Sequence, residues 1–274
     1  MNARSALFDI YGDHLLSRGE RAPVAALVRL LAPLQISAPA VRTAVSRMAR
    51  QGWLSPVRLP DGAGYRLTPR ASRRLREAAD RIYRHDPPAW DGRWHLVVPE
   101  RIAIRPVRER LHGGLSYLGY ARLNGTTWIS PRSSAELSPL LTAERVRAER
   151  FHASYDGDSR RLAARAWDLD GLAGAYSQWL VQASELTRLA GQDQPDETVF
   201  AIRSELVHEW RKFLFTDPGL PAELLPARWP GTEAAVLFHA EAERLLPAAA
   251  RFVDCCLTGA AAPTPSPAPT PCPS

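Results

Sequence analysis

Residues 37–54 read SAPAVRTAVSRMARQGWL, and the spacing of their apolar and polar side chains decides how the front of the chain folds. Each residue of a helix advances by about 100°. Val41, Ala44, Val45 and Met48 therefore fall on one side, and Arg42, Thr43, Ser46, Arg47 and Arg50 on the other, within an arc of roughly 140°. Ser37 stands at the N-cap position, and Gly52-Trp53-Leu54 ends the helix and leads into alternating sequence.

Working outward, residues 5–16 and 23–33 show helical spacing before this stretch, the second carrying Val24, Leu27, Val28 and Leu31. After it, residues 53–67 alternate around Asp61-Gly62, a hairpin signal with Arg58 and Arg66 on its two arms. Thr68-Pro69 then opens a helix over 69–84. The order is bracing helix, short turn, basic helix, basic hairpin. An isolated amphipathic helix with a basic face would be only a solvated surface. Followed by such a hairpin, its chemistry is that of a DNA-reading helix, since Arg donates two hydrogen bonds to guanine while Thr and Ser reach phosphates or bases.

The distribution of charge points the same way. The 274-residue chain carries a formal +6, but residues 1–84 hold 15 Arg against six Asp or Glu, +9, leaving 20 cationic against 23 acidic residues, −3, for the rest. Phosphate contacts supply most nonspecific DNA affinity, so the surplus sits where a nucleic-acid contact needs it. Lys212 is the only lysine, a bias that does not itself concentrate charge in one segment.

Asp86-Pro87-Pro88 breaks the helix and marks a domain boundary. Beyond it strands are expected at 94–99, 125–129 and 150–155, with a helix over 106–118, so residues 86–161 form a small ferredoxin-like α+β domain. Residues 162–259 are helical, near 168–190, 195–215 and 231–258, and the Pro-rich 260–274 cannot build a core. The fold class is α+β: an N-terminal winged helix-turn-helix over 1–85, the central α+β domain and a C-terminal helical domain. No leader or membrane-spanning run is read, which places the chain in the cytoplasm with its three cysteines reduced.

Three stretches carry a family resemblance: SALFDIYGDH (5–14), APAVRTAVSRMARQGWL (38–54) and RSELVHEWRKFLFTDPGLPAELLPARWPG (203–231). They resemble PaaX, the phenylacetic acid degradation repressors, over nearly the whole chain except the tail. The resemblance implies a homodimeric bacterial repressor of a catabolic operon, released from double-stranded operator DNA by an acyl-coenzyme A such as phenylacetyl-coenzyme A. It places Arg42, Thr43, Ser46, Arg47 and Arg50 in the recognition helix; the alternatives are an activator or a regulator of another catabolic pathway, or a metal-dependent nucleic-acid-processing enzyme built on the central domain.

For the effector, Arg203 falls in the middle of an apolar stripe of Leu206, Val207, Trp210, Phe213 and Leu214. Either it pairs internally, with Asp168, Asp170 or Asp217, or it joins Trp210, Arg211 and Lys212 in holding an acyl-coenzyme A. Trp90, Trp94, Trp128, Trp167 and Trp179 supply core bulk or aromatic walls. Enzymatic motifs are incomplete: His208-Glu209 lacks the second histidine of a zinc-binding pair, which falls on Lys212. The family's central domain resembles a small metal-dependent CRISPR-associated nuclease, yet the first strand here ends in Glu100 with Asp91 before it, a poor metal site. No catalytic residue, metal ligand or resident cofactor is expected.

Overall fold

The computed structural model describes residues 1–60, 62–83, 89–191 and 194–259. Asp61 of the hairpin signal, the Asp86-Pro87-Pro88 break and the Pro-rich tail with Cys272 lie outside the described residues. Helix α1 (Ala3–Asp9) is capped by the Asn2 side chain, which accepts the Ser5 N–H at 3.0 Å. It runs straight into a wider helical turn over Ile10–Leu15, where the Leu16 N–H reaches back five residues to the Tyr11 carbonyl at 3.0 Å. Strand β1 (Arg21–Pro23), α2 (Val24–Leu31) and α3 (Ala38–Arg50) follow. Gly52, at φ 73°, closes α3 by letting the Trp53 N–H bond the Met48 carbonyl at 2.9 Å. Strands β2 (Leu54–Leu59) and β3 (Gly62–Leu67) form the expected hairpin, and β1 adds to β3 to make a three-stranded antiparallel sheet. Helix α4 (Pro69–Ile82) begins where the Thr68 hydroxyl accepts the Ala71 N–H at 3.3 Å.

The segment 21–23 has no alternation to read and exists as a strand only because β3 is beside it. Gly64 lies at the centre of that pairing: a Cβ there would stand 2.7 Å from the Ala22 carbonyl oxygen and 2.6 Å from Leu59 Cδ1. One of these neighbours is backbone and cannot step aside. Gly64→Ala is therefore expected to destabilise by about 1–3 kcal/mol, read as a lower denaturant midpoint at constant m-value; an unchanged midpoint would contradict the packing.

The second half of the chain supplies β4 (Trp94–Pro99), α5 (Arg105–Tyr117), β5 (Ala121–Asn124), β6 (Thr127–Ser130), α6 (Leu137–Glu144) and β7 (Ala148–Ala153). The sheet order β5-β6-β4-β7 is antiparallel throughout, so the fold class is α+β with two small antiparallel sheets. One face carries Val97 and Trp128 against Leu111 and Leu115 of α5 and Leu137 and Leu141 of α6. On the other, Trp94 and Ile129 meet Leu162 and Ala163 of α7 (Ser159–Ala166), Leu169 at the start of α8 (Leu169–Arg188), and Leu220 and Leu224. Strand β5 and helix α6 were not legible, the first for its four residues and the second for Ser138-Pro139 near its start. The chain ends in α9 (Asp196–Trp210), α10 (Phe213–Thr216) and α11 (Pro230–Thr258), which contains Pro247. The single helix expected over 195–215 is broken at Trp210, where Lys212 and Leu214 N–H groups turn to carbonyls three residues back.

Among the described residues two compact units result: residues 1–77, 187–208 and 241–259, and residues 78–186 with 209–240. In the first, Phe200 of α9 and Ala249, Val253 and Cys256 of α11 share one core with Leu7, Ile10, Tyr11, Leu31, Val41 and Met48. In the second, Tyr176 and Trp179 of α8 pack with Trp210, Phe213 and Phe238. Among the described residues no helix is long and apolar enough to cross a membrane.

Candidate nucleic-acid interface

Helix α3 presents two faces, as its periodicity predicts. Val41 and Met48 are fully buried, Val45 and Ala44 nearly so, while Arg42, Thr43, Ser46, Arg47 and Arg50 are all exposed. The helix is seated by that apolar face and by the Phe8–Trp53 edge contact at 4.8 Å, which fixes the start of the hairpin beside it. Its exposed arginines are unspent. Among the described residues Arg42, Arg47, Arg50, Arg58 and Arg66 make no hydrogen bond or ion pair. Elsewhere in this unit arginines are committed: Arg18 to Asp254 at 2.7 Å, Arg76 to Glu20 at 2.5 Å, Arg251 to Asp196 at 2.5 Å, and Arg29 to the Cys256 carbonyl at 2.5 Å.

The two hairpin arginines do not form a pair. Arg58 stands opposite Ala63 and Arg66 opposite Ser55, so strand alternation sends them to opposite faces of the sheet. Arg66 instead lies directly across from Arg21 of β1. Two like charges at opposed ladder positions repel, and sequence reasoning missed Arg21 because its strand has no local signal. The outer face of this sheet is thus cationic through residues from 45 positions apart in sequence.

Beneath this surface, the helical turn after α1 and helix α9 bury a polar cluster. The Arg203 guanidinium, 3% exposed, donates from Nη1 to Asp13 Oδ2 and from Nη2 to Asp13 Oδ1 at 3.3 Å, while its Nε donates to the Ala242 carbonyl at 2.9 Å. His208 Nδ1 lies 2.8 Å from Asp9 Oδ2, and His14 Nε2 3.3 Å from Asp13 Oδ2. Burial drives the His14 pKa down to about 4, against the upward pull of Asp13 and with further lowering from Arg203. Arg203 therefore does pair internally, but with Asp13 rather than Asp168, Asp170 or Asp217. Asp168 caps the Gly171 N–H at 2.9 Å, and Asp217 takes the Tyr176 hydroxyl.

The four residues read together as an effector anchor are divided between the two compact units. Arg203 belongs to the first compact unit, and Trp210, Arg211 and Lys212 to the second. Trp210 stacks on Phe238 at 4.7 Å and donates to the Ile82 carbonyl at 3.4 Å, Lys212 is held by Glu209 at 2.5 Å, and burial lowers the Arg211 pKa. Of the tryptophans, Trp94, Trp128 and Trp179 are core residues, and Trp90 and Trp167 pack on Trp94 at 5.4 and 6.1 Å. Glu100 accepts the Arg147 N–H at 3.2 Å across the sheet edge. Burial pushes the Cys256 thiol up to about 11, which suits an inert core thiol.

Three family models match in succession: PaaX-like protein over residues 2–71, PaaX protein central Cas2-like domain over 87–162, and PaaX-like protein C-terminal domain over 167–255. Transcriptional repressor PaaX of Escherichia coli (strain K12) is 31% identical over 269 residues, covering 92% of this chain and 83% of that one. The solved structure of uncharacterized protein Rv0674 from Mycobacterium tuberculosis superposes with a TM-score of 0.61 at 26% identity, covering 92% of this chain and 98% of that one. With a family model on each of its three consecutive segments and a repressor relative spanning nearly all of it, this chain belongs to the PaaX family of transcriptional regulators.

Proposed function

We propose that the protein is a cytoplasmic, homodimeric repressor of a catabolic operon for phenylacetate or a related aromatic acid. Residues 1–85 act as a winged helix-turn-helix, with α3 in the major groove and the β2–β3 hairpin as the wing. The observation that carries this reading is the set of unpartnered exposed Arg42, Arg47 and Arg50, with Thr43 and Ser46, on the face of α3 opposite the core. That the Escherichia coli relative is a transcriptional repressor supports the repressor assignment. The central four-stranded domain, ferredoxin-like in strand order, serves dimerisation. Half-sites then lie about one or two helical turns apart. Phenylacetyl-coenzyme A or another acyl-coenzyme A releases the operator by binding the free dimer more tightly than the DNA-bound one.

The test is fluorescence anisotropy with duplexes from the region upstream of the protein's own gene. Arg42→Gln and Arg47→Gln are each expected to cost about 1–3 kcal/mol of specific binding. Arg58→Gln and Arg66→Gln should instead weaken specific and nonspecific duplexes alike, lowering the salt slope by about 0.9 per lost phosphate contact. Phenylacetyl-coenzyme A should release the duplex where free phenylacetate does not. Wild-type affinity in the Arg42→Gln/Arg47→Gln double variant would sink the reading.

A further inference from the structure

The four-stranded sheet gathers three cationic or cationisable side chains outside the surfaces already described. His95 of β4 stands directly opposite His152 of β7, with ring centroids 4.8 Å apart. Arg150, two residues earlier on β7, falls on the same face by alternation, and its Nη1 donates to Ser138 Oγ of α6 at 2.9 Å. His95 is 5% exposed, whereas His152 and Arg150 lie open on the edge strand.

A tyrosine orients the buried ring. Tyr120 Oη lies 2.6 Å from His95 Nδ1. That contact holds the ring through Nδ1 and leaves Nε2 as its outer nitrogen. That nitrogen has no partner among the described residues and is not sealed from solvent. A further polar neighbour is Ser130, opposite His95 on β6, whose hydroxyl accepts the Arg132 N–H at 3.2 Å. After desolvation, the groups acting on His95 are His152 and Arg150, both of which hold its pKa below the ordinary value. Two opposed imidazoles and a guanidinium share one face of the sheet, and among the described residues no carboxylate pairs with them. Such a set lacks only its counter-ion.

We propose that His95, His152 and Arg150 bind the phosphoryl group of a small molecule on this face of the central domain, with the oxyanion taking the counter-ion's place. Binding then offsets the positive charge that His152 and Arg150 set against His95 and draws a proton onto that ring. Affinity rises about tenfold as pH falls from 8 to 6. The inference does not rest on the DNA reading, and its test is separable from that of DNA binding.

The experiment uses the full chain labelled in its histidine rings, titrated with pyrophosphate and followed by NMR at both pH values. The His95 and His152 signals are expected to move together and saturate at millimolar pyrophosphate or below. Arg150→Gln and His152→Gln should each weaken binding about tenfold, with thermal midpoints and duplex affinity unchanged. Failure of the two signals to move, or movement that survives the Arg150→Gln/His152→Gln double variant, overturns the site. Mixed-sequence duplex DNA moving these signals where pyrophosphate does not would overturn the small-molecule assignment.

Discussion

An Arg203→Ala variant is expected to unfold roughly 10 °C below the wild-type protein. Arg203 is 3% and Asp13 10% exposed, and the pair joins the turn after α1 to helix α9 across 190 residues of sequence. Truncating the arginine strands a carboxylate in the core, and breaking one side of a buried pair typically costs about 3–5 kcal/mol. For a chain of this size each kcal/mol lowers the midpoint by about 2–4 °C. Differential scanning calorimetry measures it. Asp13→Asn should cost less, because an amide can still accept from the guanidinium. Asp13→Leu with Arg203→Leu should recover most of the loss, since neither charge remains to be desolvated. A midpoint for Arg203→Ala within a degree or two of wild type would show that the guanidinium is not a buried structural partner. The same numbers bear on the effector: lost acyl-coenzyme A response in Arg203→Ala means nothing unless folding is first restored by the paired substitution.

Acidification should weaken the same region through one imidazole. His14 is held at about 4 in the folded protein against an ordinary 6.5, chiefly by burial. Between those values the unfolded chain takes up a proton that the folded chain refuses. The contribution of His14 is therefore complete above about pH 6.5 and is lost as pH falls towards 4. At about 1.36 kcal/mol per unit, roughly 3 kcal/mol is at stake. Urea unfolding at several pH values in that window, compared with His14→Gln, isolates the effect from the carboxylates. The wild-type curve should fall more steeply than that of the variant. Parallel curves would mean that His14 is not buried as a neutral ring.

Helix α3 was fully legible, down to which of its arginines face out, because helical periodicity is a local property and the core side needs only to be apolar. The hairpin was legible for the same reason, through alternation about a turn signal. Its arginines were harder. That Arg58 and Arg66 face apart follows from the register of β2 on β3, and a slip of one residue would reverse both. Strand β1 could not be foreseen at all, and with it the Arg21–Arg66 juxtaposition.

The effector residues illustrate the other limit. A stripe drawn on one unbroken helix from Phe200 to Phe215 joined Arg203 to Trp210, Arg211 and Lys212, but α9 ends at Trp210, so the projection holds from Arg203 to Trp210 and ceases to hold for Arg211 and Lys212. The odd charge on an apolar face was a correct sign that Arg203 needs a partner. Which acid answered it was invisible, since Asp13 sits on a helical turn at the other end of the chain.

By itself, then, the sequence determined the basic face of α3, the hairpin, the α+β class and the family, all carried by local spacing or contiguous motifs. Only the tertiary structure decided which charges are spent and which remain exposed. That division depends on pairings such as Arg203 with Asp13 and His95 with His152, made across 190 and 57 residues, and a side chain's desolvation is set by whatever the fold brings against it.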